Sequence, residues 1–374
     1  MKKIIIEDNC AKTVTLTLTE SCNLKCSYCY EENKSKRTMS WETAKKIIDN
    51  ELNMEDYSQA INFDLFGGEP FLEFELIKKI VDYLKFNKAK KPFRLFVTTN
   101  GTLVHGKIQE WLLKNQEAII CGLSLDGTKL MHDINRDNSF DKIDLDFFAK
   151  TYPKQPIKMT VSKETLPYLS EGVIYCHNKG FLVNCNLAYG IDWSDECNTD
   201  YLERELNKLI DYYLTNPHVI PCSILDSDIK MAAYDISEVT IRKWCGTGTH
   251  MHTYDVDGER YPCQFFTPLS AGKEKSIAAR NLVFYEEIPE DLLDNKCREC
   301  VIKAICPTCY GSNYISTGNL YHKEDNMCRL TKITMLARTY FRALQLEAGQ
   351  LQLSENDEQA LVRSILRIQE NLKL

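Results

Sequence analysis

Three thiols lie within eight residues, in the run Ser21-Cys22-Asn23-Leu24-Lys25-Cys26-Ser27-Tyr28-Cys29-Tyr30. Three thiolates can hold three irons of a four-iron, four-sulfur cube and leave the fourth iron open to another ligand. A structural zinc would instead want four closed ligands, generally from paired short spacings. A second group of seven cysteines follows late in the chain: Cys245, Cys263, Cys297, Cys300, Cys306, Cys309 and Cys328. Asp257-Gly258 reads as a hairpin turn that brings Tyr261-Pro262-Cys263 back beside Cys245. Read alone, the Cys-x2-Cys repeats of this group would also suit a pair of zinc knuckles. The other cysteines, Cys10, Cys121, Cys176, Cys185, Cys197 and Cys222, show no ligand spacing and are expected to be small buried hydrophobes.

The elements that must position these groups follow from periodicity. Period-two or apolar strand patterns occur at residues 13–19, 60–66, 94–98, 118–125, 156–161 and 181–187. Helical patterns lie between and after them at 41–52 behind a Ser40 cap, 73–85, 107–114, 141–151, 165–179 and 200–215. Alternating strands and helices predict right-handed crossovers and a parallel sheet, here an α/β partial (β/α)6 barrel with chemistry at the carboxyl ends of the strands. The expected division is 1–215 for the partial barrel, 216–240 for a connector, 241–330 for a cysteine-rich domain and 331–374 for two closing helices. With little apolar periodicity, the cysteine-rich domain is expected to be organised by metal rather than by a core.

Composition narrows the classes. A net charge of −7 lacks the basic footprint of a general nucleic-acid binder. No window approaches a membrane span, and no apolar core with a cleavage site opens the chain, so a cytoplasmic protein is expected. In that compartment sixteen cysteines are not read as a disulfide framework, and the ten with ligand spacing are read as metal ligands.

Polar elements recur at consecutive strand ends: Gly67-Gly68-Glu69-Pro70 after the second, Thr99-Asn100 after the third, and Ser124 with Asp126 after the fourth, with Arg136 beyond. The glycines would let backbone approach a ligand, and Glu69 could receive an ammonium group. Together with Cys22-x3-Cys26-x2-Cys29 and the flanking aromatics Tyr28 and Tyr30, these segments resemble the radical S-adenosylmethionine superfamily over residues 13–200. The resemblance implies that the open iron chelates S-adenosylmethionine and that the reduced cluster cleaves it to a 5'-deoxyadenosyl radical. It also implies that the strand-end residues are cofactor contacts.

The later cysteines resemble the SPASM domain of radical enzymes that modify peptides, with Cys306-x2-Cys309 one residue shorter than the usual interval. The resemblance implies one auxiliary cluster on Cys297, Cys300, Cys306 and Cys328 and another on Cys245, Cys263 and Cys309, giving three [4Fe-4S] clusters. The second set has three cysteines. Its fourth position is either open or filled by His250, His252 or Cys222. An open iron could take a substrate thiolate, so a thioether-forming maturase of ribosomal peptides, of the sactipeptide or ranthipeptide kind, is the expected function. A carbon–carbon crosslinking maturase is a further alternative within this class, and a non-catalytic iron–sulfur or zinc protein stands outside it. Formylglycine formation is disfavoured because Gln264 stands where sulfatase-maturating enzymes carry an aspartate, and an amide is no general base. The expected partners are a precursor peptide and a flavodoxin- or ferredoxin-type electron donor. With 21 residues before Cys22, peptide capture is expected to use a surface other than an N-terminal recognition module.

Overall fold

The computed structural model describes residues 11–86, 91–234 and 241–374. Cys10 lies outside them. The chain runs β1 (Ala11–Thr19), α1 (Trp41–Asn53), β2 (Ala60–Gly67), α2 (Phe74–Phe86), β3 (Phe93–Thr99), α3 (Lys107–Asn115), β4 (Ile120–Leu123), α4 (Lys129–Asn135), α5 (Leu145–Thr151), β5 (Ile157–Val161), α6 (Leu169–Asn178), β6 (Val183–Leu187) and α7 (Cys197–Thr215). The alternating strand–helix order therefore stands. Ser40 caps α1 by accepting from the Thr43 amide at 3.0 Å, as the Ser-x-x-Thr spacing predicts.

The late segment adds β7 (Met251–Tyr254), β8 (Arg260–Tyr261), α8 (Pro268–Ala279), α9 (Asn295–Arg298), α10 (Tyr310–Thr317), α11 (Asp325–Glu347) and α12 (Glu355–Asn371). One sheet has the order β4-β3-β2-β1-β7-β8, and β5 pairs separately with β6. β1 to β4 pair in parallel and β7 joins the far side of β1, also in parallel, with Thr13 opposite Met251. This addition was not foreseen. It explains why β1 buries Thr15, Thr17 and Thr19 as deeply as Val14, Leu16 and Leu18. A central strand of a parallel sheet has two covered faces.

The chain divides into two compact units. One comprises the described parts of Met1–Leu125, Arg136–Ile157 and Cys245–Phe284; the other comprises Asp126–Asn135, Lys158–Trp244 and Tyr285–Leu374. The cysteine-rich segment is thus shared between them. The expectation that metal alone organises it needs correction. In the second unit Val301, Ile302 and Ile305 pack with Met335, Leu361, Ile365 and Ile368 in an apolar core that also takes in Ile229 and Ala232. The short loops hide this core from periodicity because its residues come from four separate segments.

Candidate functional site

In the first unit, β1 delivers the chain directly into the loop that carries Cys22, Cys26 and Cys29, all half-buried. The Cys29 amide donates to the Cys26 carbonyl at 3.2 Å, which closes the turn between those two thiols. Burial pushes the Cys22 thiol up, and the Cys29 thiol nearby adds to the effect. Lys34, which sequence reasoning missed, reaches the same place. Burial works against its ammonium, but the Cys29 and Cys22 sulfurs beside it raise its pKa overall.

The end of β2 is locked beneath this loop. The Gly68 amide donates to the Thr19 carbonyl at 3.0 Å and the Glu69 amide to the Ser21 carbonyl at 2.9 Å. A Cβ on Gly67, at φ +139°, would lie 2.2 Å from the Thr19 oxygen, and one on Gly68 would lie 2.3 Å from the Ser21 oxygen and 2.9 Å from Cys22 Cβ. Gly67 is thus required by its close approach to the end of β1, and Gly68 by its approach to the cysteine loop. Pro70 then opens a short 3-10 turn, Pro70–Glu73.

Glu69 is 1% exposed. Its carboxylate accepts from the Phe71 amide at 3.1 Å, the Thr99 hydroxyl at 2.8 Å and the Asn100 amide at 2.8 Å. Complete burial pushes its pKa up, and these donors together with the Arg136 charge pull it back. An ionised carboxylate offers about four acceptor positions. Three are taken: two by Thr99 and Asn100, which tie the end of β3 to the end of β2, and one by the Phe71 amide in the turn after β2. Glu69→Gln must turn an amide NH2 toward one of these donors, and it is expected to lower stability by about 1–3 kcal/mol. A fall in the urea midpoint at constant slope would register this.

Asn100 joins a ring that fastens the cysteine loop to β3. Its Nδ2 donates to Asn23 Oδ1 at 2.9 Å, Asn23 Nδ2 donates to Thr102 Oγ1 at 2.8 Å, and Thr102 Oγ1 donates back to Asn100 Oδ1 at 2.7 Å. Asn23 and Thr102 escaped sequence reasoning, although Asn23 follows Cys22 directly and Thr102 lies two residues past Asn100. The Ser124 amide donates to the Thr99 carbonyl at 2.9 Å, so the β3 and β4 ends are aligned. Arg136 is 8% exposed and holds its guanidinium 5.5 Å from the centre of the Tyr28 ring. Tyr30 is placed differently from Tyr28: it stacks at 4.1 Å on Phe265, two residues after Cys263. The structure thus gathers Cys22, Cys26, Cys29, Tyr28, Glu69, Thr99, Asn100 and Arg136 on one set of strand ends.

Asp126 belongs to the second unit and is 0% exposed. Its carboxylate accepts from the Thr160 amide at 2.9 Å and Asn135 Nδ2 at 3.2 Å. Its own amide donates to His132 Nδ1 at 3.3 Å. Asp126 therefore fastens the turn that leads into α4 from inside.

The hairpin expected around Asp257-Gly258 is present, with Gly258 at φ +84° and Thr253 paired to Tyr261. The Gly248 amide donates to the Pro262 carbonyl at 3.1 Å, which brings the chain after Cys245 beside the chain before Cys263. The candidates for a fourth ligand each have contacts of their own. His250 meets the Tyr57 ring edge-on at 4.7 Å, and the buried His252 receives Arg260 Nη2 at 2.7 Å on Nε2. Cys222 is fully buried in the second unit, where its amide donates to the Tyr213 hydroxyl at 2.9 Å. Cys121, Cys176 and Cys185 are buried as expected, whereas Cys197, at the start of α7, is exposed.

In the second unit Cys297, Cys300, Cys306 and Cys328 line one cavity of about 70 Å³. Burial pushes Cys297 up to about 11, with Cys306 and Cys328 contributing. Cys300 is raised by burial and by the same two neighbours. Crowded, buried thiols resist ionisation until a cationic core is present. Cys309 caps α10, its sulfur accepting from the Ser312 amide at 3.4 Å. Among the described residues no three His, Cys, Asp or Glu side chains close on a point as a single ion requires. Tetrahedral zinc needs thiolates about 2.3 Å from the metal. Cys22, Cys26 and Cys29 offer three thiolates from one loop, and Cys297, Cys300, Cys306 and Cys328 offer four around one cavity, donor sets of the kind that hold an iron–sulfur cube.

Residues 16–144 match the radical SAM superfamily model. That stretch is about a third of the chain and contains Cys22, Cys26, Cys29, Glu69 and Asn100. A radical SAM domain implies one [4Fe-4S] cluster and S-adenosylmethionine. An uncharacterized protein of Methanocaldococcus jannaschii, MJ0907, is 37% identical over 172 residues, covering 44% of this chain and 58% of its own. The radical SAM cyclopropyl synthase TigE of Paramaledivibacter caminithermalis is 24% identical over 54% of this chain and 46% of its own. The chain thus spans about half the length of these two relatives. A cysteine-type anaerobic sulfatase-maturating enzyme of Clostridium perfringens is 24% identical over 66% of this chain and 72% of its own. Among solved structures, anSMEcpe with bound AdoMet and Cp18Cys peptide superposes with a TM-score of 0.68 at 18% identity, covering 91% of this chain and 99% of that one. Streptococcus suis SuiB bound to its precursor peptide SuiA gives 0.57 at 16% identity, covering 85% and 76%. At such identities the likeness is one of fold. No helix among the described residues is long and apolar enough to cross a membrane.

Proposed function

We propose that this enzyme is a maturase that acts on a ribosomally made precursor peptide and forms a thioether from one of its cysteines. It would use three [4Fe-4S] clusters, a flavodoxin- or ferredoxin-type electron donor and a cytoplasmic location. When bound, the cluster on Cys22, Cys26 and Cys29 supplies the electron that splits S-adenosylmethionine to methionine and a 5'-deoxyadenosyl radical. The chain's own part is to hold that cluster's loop rigidly over the ends of β2 and β3 through Glu69 and the Asn23–Asn100–Thr102 ring.

The feature that carries the thioether reading is the set Cys245, Cys263 and Cys309, one thiolate short of the four that close a cube. The iron such a set leaves open would take a substrate thiolate. The peptide-bound states of SuiB and anSMEcpe support a peptide substrate. Gln264 speaks against formylglycine formation, as an amide cannot take the proton. The test is anaerobic turnover with S-adenosylmethionine, a reductant and cysteine-containing peptides, read by mass spectrometry. A product two hydrogens lighter that no longer reacts with iodoacetamide supports the proposal. A product that keeps its free thiol yet gains a carbon–carbon link, or a cysteine turned to formylglycine, replaces it.

A further inference from the structure

The cavity lined by Cys297, Cys300, Cys306 and Cys328 is lined by cations as well. Most have obvious partners: Arg242 faces Glu287 at 3.9 Å, Lys296 faces Asp325 at 2.6 Å and Lys303 faces Glu290 at 3.6 Å. Lys323 differs. It is 7% exposed, and its ammonium donates to the Pro307 carbonyl at 2.8 Å, to Thr331 Oγ1 at 2.7 Å and to Cys306 Sγ at 3.9 Å. Thr331 is fixed as an acceptor because its own hydroxyl proton goes to the Met327 carbonyl at 2.7 Å. The backbone of Lys323 is held in turn by Lys296 Nζ, at 2.5 Å from its carbonyl.

None of the acceptors around Lys323 is a carboxylate. Burying an ammonium among neutral acceptors costs far more than hydrogen bonds return, so buried charges are found paired. Of these three acceptors, the thiol sulfur of Cys306 is the one that can become an anion. A cube held by four thiolates is dianionic when oxidised and trianionic when reduced.

We propose that Lys323 is the built-in counter-cation of the cluster held by Cys297, Cys300, Cys306 and Cys328, donating to the Cys306 sulfur and raising that cluster's reduction potential. The inference rests on reading those four cysteines as a cluster site. Lys323 is a positioning and tuning residue: it acts through Cys306, and no bond is made or broken at it. The electron that reduces the cluster comes from the external reductant, and the ammonium charge favours the more negative reduced form. Hydrogen bonds to cluster sulfurs and local charge are the recognised levers on such potentials.

The experiment is an anaerobic redox titration of full-length reconstituted protein followed by electron paramagnetic resonance. The signal of this cluster is identified as the one that Cys328→Ala removes. At the potential where that cluster is half reduced in the wild type, Lys323→Met is expected to lower its reduced-to-oxidised ratio at least about tenfold, or about 59 mV for one electron. Iron content stays unchanged, and Lys323→Arg, which keeps the charge, restores most of the shift. A neutral variant that titrates at the wild-type midpoint with full iron overturns the proposal. Should Lys323→Met not hold the cluster, Lys323→Gln provides a neutral donor for the same titration. Loss of the cluster in both neutral variants but not in Lys323→Arg upholds the counter-charge role, and loss in all three overturns it. Absence of any signal removed by Cys328→Ala would instead bring down the cluster reading itself.

Discussion

Replacing Cys22, Cys26 and Cys29 together by alanine is expected to stop formation of 5'-deoxyadenosine completely and to remove only the iron of one cluster. Anaerobically reconstituted wild type is expected to hold about twelve irons and the triple variant about eight, the sums for three and two cubes. Because the three thiols sit in one loop closed by the Cys29–Cys26 turn, the loss is confined to that loop. The strands beneath it are buried by Leu16, Leu18, Phe63 and Leu65, none of which touches metal chemistry. Iron and sulfide analysis beside chromatographic assay of 5'-deoxyadenosine gives the answer. Stoichiometric zinc with little iron in the wild type would return both cysteine groups to structural sites.

Gly68→Val is expected to have nearly as large an effect from a residue that carries no chemistry. Its Cβ would stand 2.3 Å from the Ser21 oxygen and 2.9 Å from Cys22 Cβ, and both belong to a loop anchored on each side by backbone hydrogen bonds. Something must shift, and the element with least burial is the loop. The variant is expected to lose about four irons and all S-adenosylmethionine cleavage while keeping its far-ultraviolet circular dichroism. Gly122→Ala is the control. The nearest atom to its Cβ is 3.6 Å away, and it is expected to retain both iron and activity. If Gly68→Val reconstitutes fully and cleaves the cofactor at the wild-type rate, the glycine pair does not serve the loop as argued.

These two results separate what was legible in the sequence from what was not. The Cys22-x3-Cys26-x2-Cys29 run, the strand–helix alternation, the Ser40 cap and the Asp257-Gly258 hairpin depend on residues close together in the chain, and short-range spacing is written directly in it. The placement of Gly68, Glu69, Thr99 and Asn100 at consecutive strand ends was legible for the same reason, since a parallel α/β repeat puts such ends on one rim.

What each of those residues touches was decided only by the tertiary structure. Tyr28 lies under Arg136 while Tyr30, two positions on, stacks on Phe265 from the distant hairpin. Asp126, read as a strand-end ligand contact, turns inward to Thr160 and Asn135. β7 joins β1, and the cysteine-rich segment acquires an apolar core from Met335 and the α12 residues. Lys323 is an ordinary lysine in the sequence and becomes a buried ammonium beside Cys306 only once α11 and the cysteine loop are packed. Burial and partner choice are sums over contacts between segments far apart in the chain. Local periodicity carries no record of them, whereas the thiol spacings that define the chemistry are local and were therefore readable from the start.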